Sequence, residues 1–293
     1  MTTWIARRPV IAFVVLAYAL TWSAWLPLLA QTQGWVASPP WPVLHLLGSL
    51  GPAASAVAVI AATRGRAGLA DLRRRLVAWR GRGQAWAFAL GVPPLLLLVA
   101  GSVAALVDGR SPAGLDWAAF GRSAEFAALP VAVYWLVDLV FFGFGEEVGW
   151  RGFLQPHLER RYPPVLAANL VAIVWAAWHL PLFGITPSYR AMPPIGFVGF
   201  AASIWIASFL FAWLARLGRG SLLILAVFHA WFDIVTTSPL GPAFLPTAMG
   251  VGVTLIGLVV LRRLLQVPWT PEPAAPAATP GDSPPPARGP SPA

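Results

Sequence analysis

Cysteine is absent from this chain of 293 residues. Disulfides, thiolate nucleophiles and cysteine-ligated metals are therefore excluded. Charge is scarce too: Asp, Glu, Lys and Arg make up 11% of the residues, where an ordinary soluble domain carries about 25%. With 58% of the residues hydrophobic, there is more apolar surface than water can cover, and the sequence reads as a polytopic membrane protein. The 16 Trp and 16 Phe residues suit interfacial belts and bulky helix packing. The net charge of +9 raises the question of nucleic acid. The arginines sit mostly between apolar runs, however, so they report topology, and no nucleic-acid partner is expected.

Eight apolar segments approach the roughly 20 residues that a spanning helix needs. They are Pro9–Ala30, Trp41–Ala62, Ala85–Val107, Phe126–Phe144, Pro164–Phe183, Ile195–Ala215, Leu222–Thr237 and Ala243–Leu261. The expected fold class is all-α, a membrane helix bundle of about eight transmembrane helices. With eight spans, Arg7 and Arg8, the group from Arg64 to Arg82, Arg151 with Arg160 and Arg161, Arg216 with Arg219, and Arg262 with Arg263 all fall on one side. The positive-inside rule then places both termini in the cytoplasm of a cell-membrane protein. The first span reads as uncleaved rather than as a signal peptide. The expected organisation is an N-terminal membrane region with a basic cytoplasmic loop (1–125), a helical core (126–240), a last span (241–266) and a disordered, proline-rich tail (267–293).

Ionisable residues inside the spans are costly, at roughly 2.5–3.5 kcal/mol near a helix centre. Glu146 and Glu147 lie near the end of the fourth span, with Arg151 following. Glu147 and Arg151 share a helix face and are expected to pair. Glu146, about 100° round the helix, is left to face the bundle on a stripe with Asp138 and Phe142. His179 comes roughly 24 Å along the fifth span, with Trp175 one turn before it to pack over the ring. His229 and Asp233 share a face of the seventh span, where the carboxylate can fix the imidazole tautomer. Each feature alone has an ordinary reading as a helix-end charge or a packed histidine. Three spans carrying carboxylate and imidazole to similar depths point instead to one site, suited to activating water. Glu146, His179 and His229 also form an ordinary ligand set for a catalytic metal such as zinc, and a metal-free mechanism fits the same residues. His45 is read as structural. Asp138 ranks below the others, lining the cavity or pairing with Tyr134. Asn169, Ser203 and Ser208 are candidate interhelical hydrogen bonders.

The segments Glu146-Glu147-x-x-x-Arg151, Trp175-x-x-x-His179 and His229-x-x-x-Asp233, in this order, resemble the CAAX protease and bacteriocin-processing (Abi) family of intramembrane endopeptidases. That family usually carries Phe where Trp175 stands. The Gly220-Ser221-Leu222 approach to the His229 helix is similar as well, and the resemblance covers about 126–240. It implies a hydrolase acting on a peptide or lipidated protein in the bilayer. Glu146 would be the base assisted by His179, His229 with Asp233 would stabilise the oxyanion, and Glu147 and Arg151 would be supports. The family is often labelled metalloprotease. The depths of these residues, counted along the spans from the arginine-rich ends, place the opening of the site on the cytoplasmic side. Two other classes fit intramembrane carboxylates and histidines: a proton-coupled carrier, and a non-catalytic immunity or scaffold member of the family.

Overall fold

The computed structural model describes residues 2–271 apart from 81, 123, 124 and 243. The expectation of a disordered tail over 267–293 falls mostly on 272–293, outside the described residues. All regular structure among the described residues is helical. Six helical stretches are long and apolar enough to cross a membrane, by length and composition. They include α1 (Pro9–Thr32), α4 (Gly83–Val107), α7 (Pro194–Leu217) and α9 (Leu245–Leu265). The expected second span is two helices, α2 (Val43–Ser49) and α3 (Gly51–Leu76), which meet at Leu50. The fifth is α6 (Pro164–Trp178), extended by the 3₁₀ turn Leu180–Gly184. The seventh, α8 (Leu222–Thr237), is apolar but shorter.

The fourth span differs most from expectation. Its helix starts at Val131 and continues to Glu159, so the rod α5 (131–159) places both glutamates near its middle. Two π-helical turns, Leu139–Phe144 and Trp150–Leu154, flank the α-helical Gly145–Gly149. π turns widen a helix locally and are frequent at functional sites. The widened turn also breaks the expected stripe: Phe142 packs on His45, 5.2 Å between ring centroids, rather than in line with Glu146. Glycine permits the close approach here. A Cβ on Gly149 would lie 2.8 Å from the Pro52 backbone of α3, and one on Gly143 would lie 2.7 Å from the Ala226 carbonyl of α8.

The arginine-rich ends of the helices are tied together. Arg75, at the end of α3, donates to the carbonyls of Gly220 (2.9 Å), Gly152 (2.9 Å) and Arg151 (3.1 Å). Arg82 donates to Gly218 O at 2.6 Å, and Arg216 pairs with Glu159 at 2.7 Å. Gly220, at φ +75°, turns the chain into α8, which Ser221 caps by accepting from Ile224 N. The opposite end is joined by Gln33 donating to Gly184 O, Gly121 N to Ser238 Oγ, and the His45–Glu125 contact at 2.5 Å. Among the expected bonders, Ser208 reaches Ala168 O, and Asn169 accepts from Trp205, both between helices. Ser203 does not, because its hydroxyl returns to Phe200 O of its own helix.

Candidate active site

α6 ends at His179 because Pro181 cannot donate to the helix. That end leaves orphan carbonyls, and α1 satisfies two of them: Tyr18 Oη donates to Val174 O at 2.6 Å, and Trp22 Nε1 to Trp178 O at 3.1 Å. His179 takes a third through Nδ1, 2.7 Å from Trp175 O. A carbonyl can only accept, so Nδ1 carries the proton. Nε2 is left with its lone pair, available to water or a substrate.

Trp175 does more than pack over His179. Its ring lies 5.9 Å from the His179 ring and 6.1 Å from that of His229, and its Nε1 donates to Glu146 Oε2 at 2.6 Å. Trp150 Nε1 reaches the same oxygen at 3.3 Å. The indoles therefore aim one carboxylate oxygen and leave the other for chemistry. Glu146, His179 and His229 converge on this one ring, although they come from three helices.

Glu147 points elsewhere, as the 100° offset requires. Its Oε1 accepts from Arg151 Nη1 at 3.0 Å, the expected pair, and also faces His229 Nδ1 at 2.9 Å. The Arg151 guanidinium is sandwiched between Trp175 and Phe211, 4.3 and 4.4 Å from the two ring centroids. His229 Nε2 lies 3.4 Å from Asp233 Oδ2. Each ring nitrogen of His229 thus faces a carboxylate, closely at Nδ1 (2.9 Å) and more loosely at Nε2 (3.4 Å). Glu147 is consequently a partner of His229 as well as a support for Arg151. No local sequence signal joins residues 82 apart.

Asp138 belongs to the same centre. It is fully buried, neither carboxylate oxygen has a hydrogen-bond partner among the described residues, and Asp233, His229 and Glu146 are its electrostatic neighbours. It does not pair with Tyr134 as the sequence allowed. His45 holds Glu125 at 2.5 Å and packs on Phe142, so it braces the 109–130 loop beside the site.

The metal set that the sequence left open, Glu146, His179 and His229, meets donors that are mostly engaged at these positions. Glu146 Oε2 is occupied by indole donors and both His229 nitrogens face carboxylates, so among the three only His179 Nε2 offers a free nitrogen. No cluster of three or more metal-binding side chains occurs among the described residues.

Exposure is uneven across the centre. Arg151 is 1% exposed and Glu147 0%, whereas His179 is 7% exposed and the Asp233 side chain 34%. Asp233 is one turn from the C-terminal end of α8, away from the arginine-rich connections. The Arg151–Trp175–Phe211 layer lies toward the arginine-rich side of the centre, and the more exposed members, His179 and Asp233, lie away from it.

Residues 128–235, which contain every side chain of this centre, match the profile of the type II CAAX prenyl endopeptidase, Rce1-like family. A protein named CAAX prenyl protease 2 from Methanococcus maripaludis is 29% identical over 120 residues, 38% of this chain and 40% of the relative. The match thus spans less than half of either protein. Over that segment the chain is similar to the Rce1-like CAAX prenyl endopeptidases.

Proposed function

We propose that this protein is an intramembrane endopeptidase that hydrolyses a peptide bond in a membrane-associated peptide or lipidated protein. The observation that carries the proposal is the convergence of Glu146, His179 and His229 around the Trp175 ring. In the proposed step, water held between the free Glu146 oxygen and His179 Nε2 gives its proton to Glu146 as its oxygen attacks the scissile carbonyl carbon. His229, charged and braced by Glu147 and Asp233, stabilises the developing oxyanion. Glu146 then returns the proton to the leaving nitrogen as the C–N bond breaks. Every atom of the water ends in the products, and no step requires a metal. A carrier would use the same carboxylates as a relay, but two indoles fixing one oxygen of Glu146 favour a positioned base over a mobile proton site. The test is comparative terminal proteomics of membranes containing wild-type or Glu146→Gln protein. New C-termini confined to the wild type support the reading, and identical termini in both membranes overturn it.

Asp233 enters this scheme through its contact with His229, not as the base. Asp233→Asn keeps a hydrogen-bond acceptor at the same place, so hydrolysis is expected to stay within about tenfold of wild type, the value of one modest hydrogen bond. A loss as large as that of Glu146→Gln would reassign Asp233 as a proton acceptor.

With the arginine loops held in the cytoplasm, as we propose for both termini, the site opens to the opposite compartment. The absence of cysteine gives a clean labelling background. Single substitutions Asp233→Cys and Thr237→Cys should react with a membrane-impermeant maleimide on intact cells, and Arg219→Cys only after permeabilisation. Labelling of Asp233→Cys only after permeabilisation would reverse the assignment.

A further inference from the structure

A cavity of about 260 Å³ lies at the arginine-rich end, on the far side of the Arg151 layer from the candidate active site. Arg75, Arg151, Gln155, Glu159, Arg216 and Arg219 line it, and Pro156 and Ala215 supply an apolar wall. Four guanidinium groups therefore meet one carboxylate. That carboxylate, Glu159, is already held by Arg216 at 2.7 Å and Gln155 Nε2 at 2.5 Å. Arg75 is engaged by its three carbonyls. Two sets of donors remain unspent. Arg151 is 1% exposed, yet its Nε and Nη2 have no hydrogen-bond partner among the described residues. The exposed Arg219 side chain has no ion pair or hydrogen bond there either, and it stands at φ +50°, a conformation rare outside glycine.

A buried guanidinium with unmet donors is costly unless something completes it. Every one of the 20 basic residues in the chain is arginine, the side chain whose planar fork matches phosphate oxygens in pairs. Basic pockets between transmembrane helices on the cytoplasmic side are also where acidic head groups dock. We propose that this cavity binds a phosphate group, with Arg219 and Arg216 at its mouth and Arg151 within its lining. The apolar wall and the position at the membrane end favour the phosphodiester of an anionic phospholipid as the source over free phosphate. Because Arg151 also holds Glu147, such a ligand would sit one side chain away from the His229 pair. That link to activity rests on the peptidase reading. The binding itself does not.

The experiment measures binding and is separate from cleavage. Delipidated full-length protein in a maltoside detergent is titrated with short-chain phosphatidylglycerol, with short-chain phosphatidylcholine and with inorganic phosphate. Native mass spectrometry and thermal unfolding are the readouts. Phosphatidylglycerol is expected to bind at one equivalent and to raise the unfolding temperature. Arg219→Gln, an exposed position outside the catalytic centre, is expected to weaken it about tenfold, the value of one charge-assisted hydrogen bond. If inorganic phosphate reproduces the shift, the same site is confirmed with free phosphate as its source. Absence of binding by both, or equal binding of phosphatidylglycerol by wild type and Arg219→Gln, overturns the proposal.

Discussion

Glu146→Gln should lower peptide-bond hydrolysis by about 10³-fold while leaving the helix bundle intact. A positioned general base contributes roughly 10²–10⁴ in rate, and an amide cannot take a proton from water. The fold should survive because the Gln carbonyl can still accept from Trp175 and Trp150, the two donors that hold Glu146 Oε2. The measurement is turnover of a membrane-reconstituted peptide substrate, alongside monodispersity in detergent. Trp175→Phe offers a graded control. It removes the 2.6 Å bond and leaves the 3.3 Å one from Trp150, so the carboxylate stays but loses its aim, and the rate should fall by less. Full activity in Glu146→Gln would remove this residue as the base.

The second large effect concerns stability. Arg151→Met leaves the fully buried Glu147 facing His229 alone. Removing one partner of a buried ion pair costs up to about 3–5 kcal/mol, and the remaining His229 contact at 2.9 Å offsets part of that. The variant should therefore lose most of its monodisperse fraction and unfold at a lower temperature. The double variant Glu147→Gln/Arg151→Met removes both charges, and the Gln oxygen can still accept from His229 Nδ1. It should recover much of the lost stability, while its hydrolysis stays low because His229 has lost a charged brace. Equal instability in the single and double variants would show that Arg151 stabilises through its stacking on Trp175 and Phe211 rather than through Glu147.

Much of this was legible from the chain. Apolar length alone located the helices, because each span must satisfy its backbone internally. The i, i+4 spacing alone paired Glu147 with Arg151 and His229 with Asp233. What escaped depended on how helices face one another. Which side of α6 turns toward α5 decides whether Trp175 merely covers His179 or donates to Glu146, and no local pattern records that rotation. The second ligand of Glu147 and the His45–Glu125 contact link residues far apart in the sequence. The break at Leu50 and the two π turns in α5 were also unread, since an apolar run looks the same whether a helix is regular, interrupted or widened. The layering across the bundle was unread for a related reason. Depth counted along single helices ignores the Arg151–Trp175–Phe211 layer that lies toward one end.

The widened turns of α5 also bear on which changes in length the protein tolerates. Each holds one residue more than an α-helical turn, so a deletion within 139–144 can be absorbed by reverting to regular helix. That reversion would swing Asp138 and everything before it by about 100° relative to the glutamates, moving its carboxylate away from Asp233 while the Glu146–Trp175 bond stays in place. A one-residue deletion there would act as a rotation of half the rod, and point substitutions along the same face would not reproduce it.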